Sequence, residues 1–469
     1  MATSEVSRPP AAARAATRVN DKPATNRLRR PLPADLPTPY VEVDALRLER
    51  NMRVMQDRAN AAGVALFPHI KTHKSVHIAK QQLQLGARGI TASKPSEALV
   101  FVEAGIPSII VAYPIVSAGS LDRLLPAVKA HGTELRTIAA SETGVDALSA
   151  AAMRHGVEIG VFLKVDVGLG RVGVKPHDPL AVALCQRIVA AKGLHFAGLL
   201  SHAGHAYAAA NRAQLASIAN DEAASLSALA EQLRSTGIAV PCISVGATPT
   251  CLAAPLPAGV QCIRPGNYVF LDGTALRLGI CSEDDLALSV VARVVAANEH
   301  HFIVDAGSKS MSSDRGAHGL GGPGYGMVVA VDDNADGQVW TLERLSEEHG
   351  FVSVAGRPLP LGSRVRIFPN HSCATIANFD RFTLRRADGE AVTLPVDARC
   401  ASPTSISATS RLHPSHLLPV VTARKAAPTS SRSSPRTACR PSSTPAVSAV
   451  STSVMKAAPN PNAPSPIWC

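Results

Sequence analysis

Short apolar, β-branched runs alternate with amphipathic stretches along much of this 469-residue chain. Eight of the runs have the length of single buried strands, and they predict strands at residues 66–71, 89–94, 108–114, 135–140, 159–167, 196–202, 242–246 and 262–270. Between most of them the apolar positions recur with helical spacing, as in residues 95–103 and 215–234. Eight strand–helix steps over about 230 residues indicate a (β/α)8 TIM barrel, whose parallel strands are buried on both faces. An open doubly wound sheet is the alternative.

The pattern changes after Leu276. Apolar runs then follow one another without intervening helices, separated by Gly, Asp and Asn turns, at residues 286–296, 301–308, 327–333 and 364–370. We therefore predict a barrel over residues 37–279, followed by a mostly antiparallel β domain over residues 280–399.

The two ends of the chain lack any sustained period. Residues 1–36 are rich in Arg and Ala, and residues 400–469 are dominated by Ser, Pro, Ala and Thr with no acidic side chain. Such compositions do not bury a core, so we expect both segments to be disordered. Because a GC-rich gene read out of frame produces this bias, our hypothesis is a frame slip near codon 400 and a tail dispensable for activity.

The formal charge of +11 belongs to these ends, which hold seven Lys or Arg residues each, so residues 36–399 are neutral overall. A neutral folded segment argues against a nucleic-acid partner. No apolar run approaches the ~20 residues of a membrane span, so we expect no membrane partner. Nine cysteines without a C-x-x-C pair, and no secretory signal, indicate a reducing compartment and a cytoplasmic location.

Lysines stand at four predicted strand ends, where the active sites of barrels lie; they are Lys71, Lys94, Lys74 and Lys164. The stretch "ALFPHIKTHKSVHIAK" (65–80) makes Lys71 the best candidate, because His69, His73 and Lys74 crowd it. Neighbouring cations and partial burial lower the pKa of an amine, as a Schiff-base lysine requires. A snorkelling or ion-paired side chain is the alternative.

Two glycine turns end the last two predicted barrel strands. "SVGATPT" (244–250) places Gly246 before a plausible N-cap, Thr248, and "RPGNYVFLDGT" (264–274) contains Gly266. Barrels favour these loops for phosphate, which binds free backbone N–H groups. Ordinary loops look the same, so the turns indicate a phosphorylated ligand only as a pair.

The stretch "FPNHSCATIANFD" (368–380) contains a candidate metal site. If it is a strand, His371 and Cys373 point to one face with Cα atoms roughly 7 Å apart. An imidazole and a thiolate can bind one zinc ion, leaving open positions for water and substrate. A half-buried histidine beside a core cysteine is the alternative.

Together these stretches resemble D-threonine aldolases and D-serine dehydratases, pyridoxal-phosphate enzymes with the alanine-racemase-like fold. The resemblance covers about Thr38 to Arg399 and rests on nine motifs in the family's order. They are "TPYVEVD" (38–44), "PHIKTHKS" (68–75), "VDVGLGRVGV" (165–174), "HAGHAY" (202–207), "SVGATPT", "RPGNYVF", "DAGSKSMSSD" (305–314), "SEEHG" (346–350) and "PNHSC" (369–373).

The resemblance implies a role for each motif. Lys71 would bind pyridoxal 5'-phosphate covalently, Arg171 would lie near the cofactor ring, and either His202 or Tyr207 would face that ring. The cofactor's phosphate would bind at the two glycine turns, at Gly246, Ala247, Thr248, Gly266, Asn267 and Tyr268. His371 and Cys373 would hold a divalent metal, zinc or else manganese, at the β-hydroxyl of a D-amino acid substrate. A homodimer is also implied.

Two lyase reactions fit these parts. Lys71 could remove the α-proton so that the hydroxyl leaves, giving a keto acid and ammonia; or a base, for which we choose His205, could start retro-aldol cleavage to glycine and an aldehyde. A cysteine as second metal ligand resembles the zinc-dependent D-serine dehydratases and favours dehydration. Phe67 departs from the arginine common in the family. A racemase and a non-catalytic cofactor carrier of the single-barrel type remain as other classes.

Overall fold

All eight predicted barrel strands are present in the computed structural model of this chain, which describes residues 36–317, 321–331, 338–354 and 358–399. The predicted leader (but for Leu36) and the predicted tail with its frame slip lie outside the described residues. Numbered after β1 (Tyr40–Asp44), the barrel strands are β2 (Ala65–Leu66), β3 (Ile90–Ala92), β4 (Ser108–Pro114), β5 (Glu134–Ala139), β6 (Ile159–Lys164), β7 (Leu194–Leu200), β8 (Ile243–Val245) and β9 (Cys262–Ile263).

These strands pair in parallel in the order β2-β9-β8-β7-β6-β5-β4-β3. The two outer strands meet beyond the end of β2, where His69 forms a parallel bridge with Thr91 and the Thr91 N–H donates to Pro68 O (2.8 Å). The sheet therefore closes, which confirms the barrel and excludes the open doubly wound sheet.

Each barrel strand is followed by a helix. Helix α1 (Ala45–Ala61) precedes β2, and the others are α2 (Val76–Gln84), α3 (Pro95–Glu103), α4 (Ala118–His131), α5 (Glu142–His155), α6 (Pro179–Ala190), α7 (Arg212–Ser235), α8 (Thr248–Ala253) and α9 (Gly273–Arg277). Short polar side chains begin several of them: Ser141 accepts from the Gly144 N–H (3.2 Å), and Asn211 accepts from the Gln214 N–H (2.9 Å). Such caps satisfy N–H groups that the first turn of a helix leaves unbonded.

The second sheet has nine strands. After α9 the chain adds β10 (Leu288–Ala297), β11 (His301–Val304), β12 (Gly326–Ala330), β13 (Val339–Leu345), β14 (Gly350–Ser353), β15 (Arg364–Pro369), β16 (Arg381–Arg385) and β17 (Ala391–Pro395), with short helices α10 (Ser308–Met311) and α11 (Ser372–Ile376). The order is β11-β14-β13-β12-β15-β10-β1-β16-β17, and β10 also pairs with β11. Six strands thus close into an antiparallel barrel, which confirms the predicted β domain.

Strand β1 belongs to this second sheet although it precedes the barrel in the chain. It lies between β10 and β16, whereas the sequence pattern grouped residues 37–44 with the barrel. A buried ion network holds it there: the Glu42 carboxylate accepts from Arg366 (2.8 Å) and Arg385 (3.2 Å), and Asp44 accepts from Arg385 (2.7 Å). Removing one partner of such a buried pair costs about 3–5 kcal/mol.

Within the part of the chain that the structure describes, no helix has both the length and the apolar character needed to cross a membrane.

Candidate active site

A pocket lies between the C-terminal ends of the barrel strands and the first turn of α11 in the β domain. It has about 590 Å³ of empty volume, part of it open to solvent. The lining residues come from the turns after four barrel strands and from the β domain: His69, Lys71, Thr72, His202, Tyr207, Ala247, Thr248, Arg264, Gly266, Asn267, Ala317, His371 and Cys373.

Lys71 lies in a 3-10 turn (Ile70–Thr72) that follows β2, not in the strand that the sequence predicted over residues 66–71. No described residue hydrogen-bonds to or ion-pairs with its ammonium group. Burial lowers the pKa of Lys71 from its ordinary value; the Cys373 thiolate opposes that shift, and the Arg171 charge adds to it. Lys71 is therefore a half-buried lysine whose amine loses its proton more easily than that of an exposed lysine.

The lowered pKa of Lys71 was predicted, but the cations named for it were the wrong ones. Burial, above all, lowers the pKa of His69 far below its usual range and that of His73 to about 3, so both are neutral. Lys74 is turned towards Glu97 (3.8 Å). The nearby charge that favours the neutral amine comes from Arg171 instead.

Two glycines allow the turns after β8 and β9 to pack closely. Gly246 has φ +120°, which favours glycine, and a Cβ there would meet Cys251 Sγ at 3.1 Å. A Cβ at Gly266 would meet His69 O and Thr72 Oγ1, both at 3.0 Å. Gly266 thus lets the turn after β9 lie against the turn that carries Lys71.

Backbone N–H groups point to an anion at these two turns. Among the described residues the N–H groups of Thr248, Gly266 and Asn267 have no hydrogen-bond acceptor. The Ala247 N–H, predicted as a fourth donor, is bonded to Thr250 Oγ1 (3.1 Å) and is therefore not available. Ala247, and not the predicted Thr248, is the N-cap residue of α8, so Thr248 begins the helix.

Both candidates for the ring-facing position, His202 and Tyr207, line the pocket. His202 Nδ1 lies 3.1 Å from Gly246 O, and burial lowers the pKa of His202 well below its usual range. Burial raises the pKa of Tyr207, whose hydroxyl hydrogen-bonds with Thr248. Both side chains are therefore neutral near pH 7.

Four predicted site residues do not line the pocket. Gly246 and Tyr268 lie behind it, and the Tyr268 hydroxyl accepts from Gln82 (2.9 Å). Arg171 is exposed in the loop after β6. His205, predicted as a base, packs against that same loop after β6. A Cβ on Gly168 of the loop would meet the His205 ring at 3.3 Å.

Four lining residues were not predicted: His69, Thr72, Arg264 and Ala317. Arg264 is 5% exposed and donates to Ser244 Oγ (2.7 Å) and Val245 O (3.1 Å), so it braces the ends of β8 and β9. Its place directly before Pro265 and Gly266 in "RPGNY" was the available signal. His69 Nδ1 is buried without a hydrogen-bond partner among the described residues.

His371 and Cys373 come together as predicted, but not on a strand. β15 ends at Pro369, His371 is the N-cap residue of α11, and Cys373 lies in the first turn of that helix. Burial lowers the pKa of His371, but its hydrogen bond with Cys373 and the nearby carboxylates outweigh burial and raise the pKa to about 9. Burial by itself would raise the pKa of Cys373, but the hydrogen bond with His371 opposes burial and the net pKa is lowered. Each partner of the pair therefore favours the charged form of the other.

The surroundings of this pair suit a metal ion. His371 Nδ1 lies 2.9 Å from Asp314 Oδ2, the usual second contact of a metal-binding histidine. Cys373 Sγ lies 3.3 Å from Thr72 Oγ1, next to Lys71 in the chain. Among the described residues no group of three or more His, Cys, Asp or Glu side chains could hold a metal. A metal here would have two protein ligands and open positions.

Two family models match consecutive parts of the chain. "Alanine racemase, N-terminal domain" matches residues 43–273, and "Putative serine dehydratase domain" matches residues 287–384. The chain is 37% identical to D-threo-3-hydroxyaspartate dehydratase of Delftia sp. (strain HT23), over 76% of this chain and 96% of that protein. It is 33% identical to D-threonine aldolase of Arthrobacter sp. (72% and 86%) and 30% identical to D-serine dehydratase of Dictyostelium discoideum (76% and 95%).

Solved structures agree with these matches. The Delftia dehydratase superposes with a TM-score of 0.71 at 36% identity, covering 77% of this chain and 97% of that one. A cysteine-to-alanine mutant of that enzyme, described as the metal-free form, is similar to this chain with the same scores.

Proposed function

Since the chain belongs to the family of D-threonine aldolases and D-serine dehydratases, pyridoxal-phosphate lyases that act on D-hydroxy amino acids, we propose that it is a dehydratase using a divalent metal. It would convert a D-3-hydroxy amino acid to a keto acid and ammonia. The observation that carries this proposal is the His371–Cys373 pair in the pocket that also contains Lys71.

The pocket fits pyridoxal 5'-phosphate in three respects. Lys71 offers an amine with which no described residue pairs, and the N–H groups of Thr248, Gly266 and Asn267 offer three donors to a phosphate. The buried Nδ1 of His69, which has no hydrogen bond within the described ranges, offers one more polar atom to a ligand. We assign Lys71 as the covalent attachment point and these three N–H groups as the phosphate site.

The same pocket fits a divalent metal. The thiolate of Cys373 and the imidazole of His371 are typical zinc ligands, and Asp314 and Thr72 are the hydrogen-bond partners that hold them. We propose zinc, with manganese as the alternative. Two open positions or more would then be available to water and to the substrate hydroxyl.

When bound, the cofactor supplies an electron sink for charge at the substrate's Cα, and the metal supplies a Lewis acid at its β-oxygen. The protein's part is proton transfer and orientation. Lys71, being neutral at a lower pH than an ordinary lysine, accepts the Cα proton. His371 and Cys373 fix the position of the β-hydroxyl, and the two domains that enclose the pocket limit the access of water.

Dehydration is favoured over retro-aldol cleavage because cleavage requires a base for the hydroxyl proton. His205, the residue we predicted for that role, is outside the pocket. The lowered pKa values of His202 and His69 make both of them weak bases. The aldolase remains the second candidate, since a D-threonine aldolase is among the relatives.

Product analysis separates the two reactions. With D-serine or D-threo-3-hydroxyaspartate we expect ammonia in equal amount to keto acid, measured by coupled reduction of the keto acid. With D-threonine we expect ammonia and 2-oxobutanoate. Glycine and acetaldehyde as the only products from D-threonine would establish the aldolase instead.

Arg171 should lower the pH at which the apoenzyme captures its cofactor. Its charge favours the neutral form of Lys71, so Arg171→Gln should raise the apparent pKa of capture towards the ordinary 10.5 of lysine. The wild-type midpoint should lie below that value. The measurement is the rate of visible absorbance growth after pyridoxal phosphate is added to apoenzyme across a pH series.

Arg187→Gln is the matched control, because Arg187 pairs with Asp146 on the barrel's outer helices (2.8 Å). It should leave the midpoint unchanged. Identical midpoints for wild type and Arg171→Gln would show that Arg171 does not tune Lys71.

We also propose a cytoplasmic homodimer. The six free cysteines among the described residues support a reducing compartment, and the homodimer rests on the family resemblance. Light scattering of the purified protein tests the oligomeric state.

A further inference from the structure

Asp272 is a buried carboxylate behind the pocket, in the turn between β9 and α9. It is 1% exposed and does not line the pocket. One oxygen, Oδ1, accepts from the N–H groups of Thr274 (3.1 Å) and Ala275 (3.2 Å) and so caps α9. The helix cap uses only one of the two carboxylate oxygens.

The other oxygen connects the two halves of the site. Asp272 Oδ2 accepts from Asn267 Nδ2 (2.7 Å), in the barrel's phosphate turn, and from the Ser372 N–H (3.0 Å). Ser372 stands between His371 and Cys373 in the chain, and its hydroxyl donates to Asn267 Oδ1 (2.7 Å). The carboxylate thus contacts both the turn proposed for phosphate and the backbone that carries both proposed metal ligands.

A second contact repeats the connection. Thr274, which Asp272 caps, donates its hydroxyl to Asn370 O (2.7 Å), and its N–H lies 3.2 Å from the same oxygen. The first turn of α11 is therefore bonded to the barrel on both sides of His371. Asp272 accepts four hydrogen bonds, and three of the donors are backbone N–H groups that hold its orientation.

We propose that Asp272 is a positioning residue that sets the distance between the metal and the cofactor by anchoring the Ser372 N–H to the barrel. This inference rests on the proposed function, in that His371 and Cys373 hold the metal. Its consequence is that metal affinity depends on a residue that does not touch the metal, as outer partners of metal ligands commonly affect affinity about 10- to 100-fold.

Asp272→Asn tests the anchor with little change of shape. The amide oxygen of the new asparagine can still cap α9. The side-chain amide of Asn267 can rotate so that its oxygen accepts from the new NH2 group. The Ser372 N–H cannot adapt, because it would face a donor. We expect the dissociation constant for Zn²⁺, measured by competition with a chromogenic chelator, to rise about 10- to 100-fold, while retention of pyridoxal phosphate is unchanged.

Asp272 is also a carboxylate near His371 and Cys373, so a second variant must remove the hydrogen bond and keep that carboxylate. Ser372→Pro does so. Proline is tolerated at the first position of a helix, where Ser372 lies, and His371 has an extended backbone (φ −139°, ψ 94°) close to the conformation preferred before a proline. It deletes the N–H and keeps the carboxylate, which has to move away from the ring carbon that replaces the hydrogen.

Ser372→Ala is the matched control, since it keeps the N–H and loses only the hydroxyl bond to Asn267. We expect it to weaken Zn²⁺ binding less than Ser372→Pro. In Co²⁺-loaded protein the thiolate-to-cobalt absorption reports the Cys373 bond directly; it should fall in Asp272→Asn and Ser372→Pro and persist in Ser372→Ala. Thermal unfolding of each apoprotein accompanies these measurements.

If the wild type binds Zn²⁺, three outcomes would overturn the inference. The first is an unchanged Zn²⁺ affinity in both Asp272→Asn and Ser372→Pro. The second is a loss of affinity in Asp272→Asn alone, which would assign the effect to charge, and the third is an equal loss of affinity in Ser372→Pro and Ser372→Ala. A wild-type protein that binds neither Zn²⁺ nor Co²⁺ would instead refute the proposed metal site.

Discussion

Lys71→Ala should yield a protein that retains no pyridoxal phosphate through gel filtration and shows no visible absorbance from bound cofactor. Turnover should fall about 10²- to 10⁴-fold, the usual effect of removing a general acid or base, and further if the covalent link is also required. The physical reason is that Lys71 supplies the pocket with an amine that no described residue pairs with and whose pKa is lowered by burial. Spectra and steady-state rates on D-serine measure both effects.

Lys94→Ala is the control for this substitution. Lys94 also ends a predicted strand, but it is exposed at the N-cap of α3 and does not line the pocket. It should keep its cofactor and its activity. Lys71→Ala should be at least as stable as wild type to heating without cofactor, because it removes a half-buried amine with which no described residue pairs. Full cofactor retention in Lys71→Ala would contradict the assignment.

The number and order of the barrel strands could be predicted because buried parallel strands are continuous apolar runs. Their ends could not. Residues 67–72 and 264–270 stay mostly buried after β2 and β9 stop, since 3-10 turns there pack between the barrel and α11. In a sequence, residues that are buried without strand pairing have the same apolar pattern as a strand, so both predicted strands extend several residues too far.

The sheet to which β1 belongs could not be predicted either. Residues 40–44 have the pattern of any half-buried strand, and only the tertiary contacts of Glu42 with Arg366 and Arg385 place them in the second sheet. A pattern records that a residue is buried, not which element buries it.

The site residues that could be predicted are those with distinctive chemistry in a short stretch: Lys71, the two glycine turns, and the H-x-C pair. Thr72 and Asp272 could not be predicted, because each acts through partners about one hundred residues away or more in the chain. The H-x-C pair was found for a wrong reason. Its two side chains meet through the first turn of a helix, where spacing by two does not by itself bring side chains together.

Removal of the metal should have the second largest effect. Dialysis against a chelator should abolish ammonia release from D-serine, and added Zn²⁺ or Mn²⁺ should restore it. The reason is that hydroxide is a poor leaving group, and a Lewis acid at its oxygen contributes several kcal/mol to the transition state. Visible absorbance of the bound cofactor should persist, because the phosphate turns and Lys71 belong to the barrel.

Cys373→Ala should reproduce the chelated state within the protein. It leaves His371 as the single proposed metal ligand, and a single imidazole holds zinc weakly, so bound metal measured by atomic absorption should be lost together with activity. Cys281→Ala is the matched control, a half-buried free cysteine outside the pocket, and it should retain both. A chelated enzyme or a Cys373→Ala variant that still releases ammonia at the wild-type rate would show that β-hydroxyl departure needs no metal here, which would leave the H-x-C pair a structural contact between α11 and the Lys71 turn.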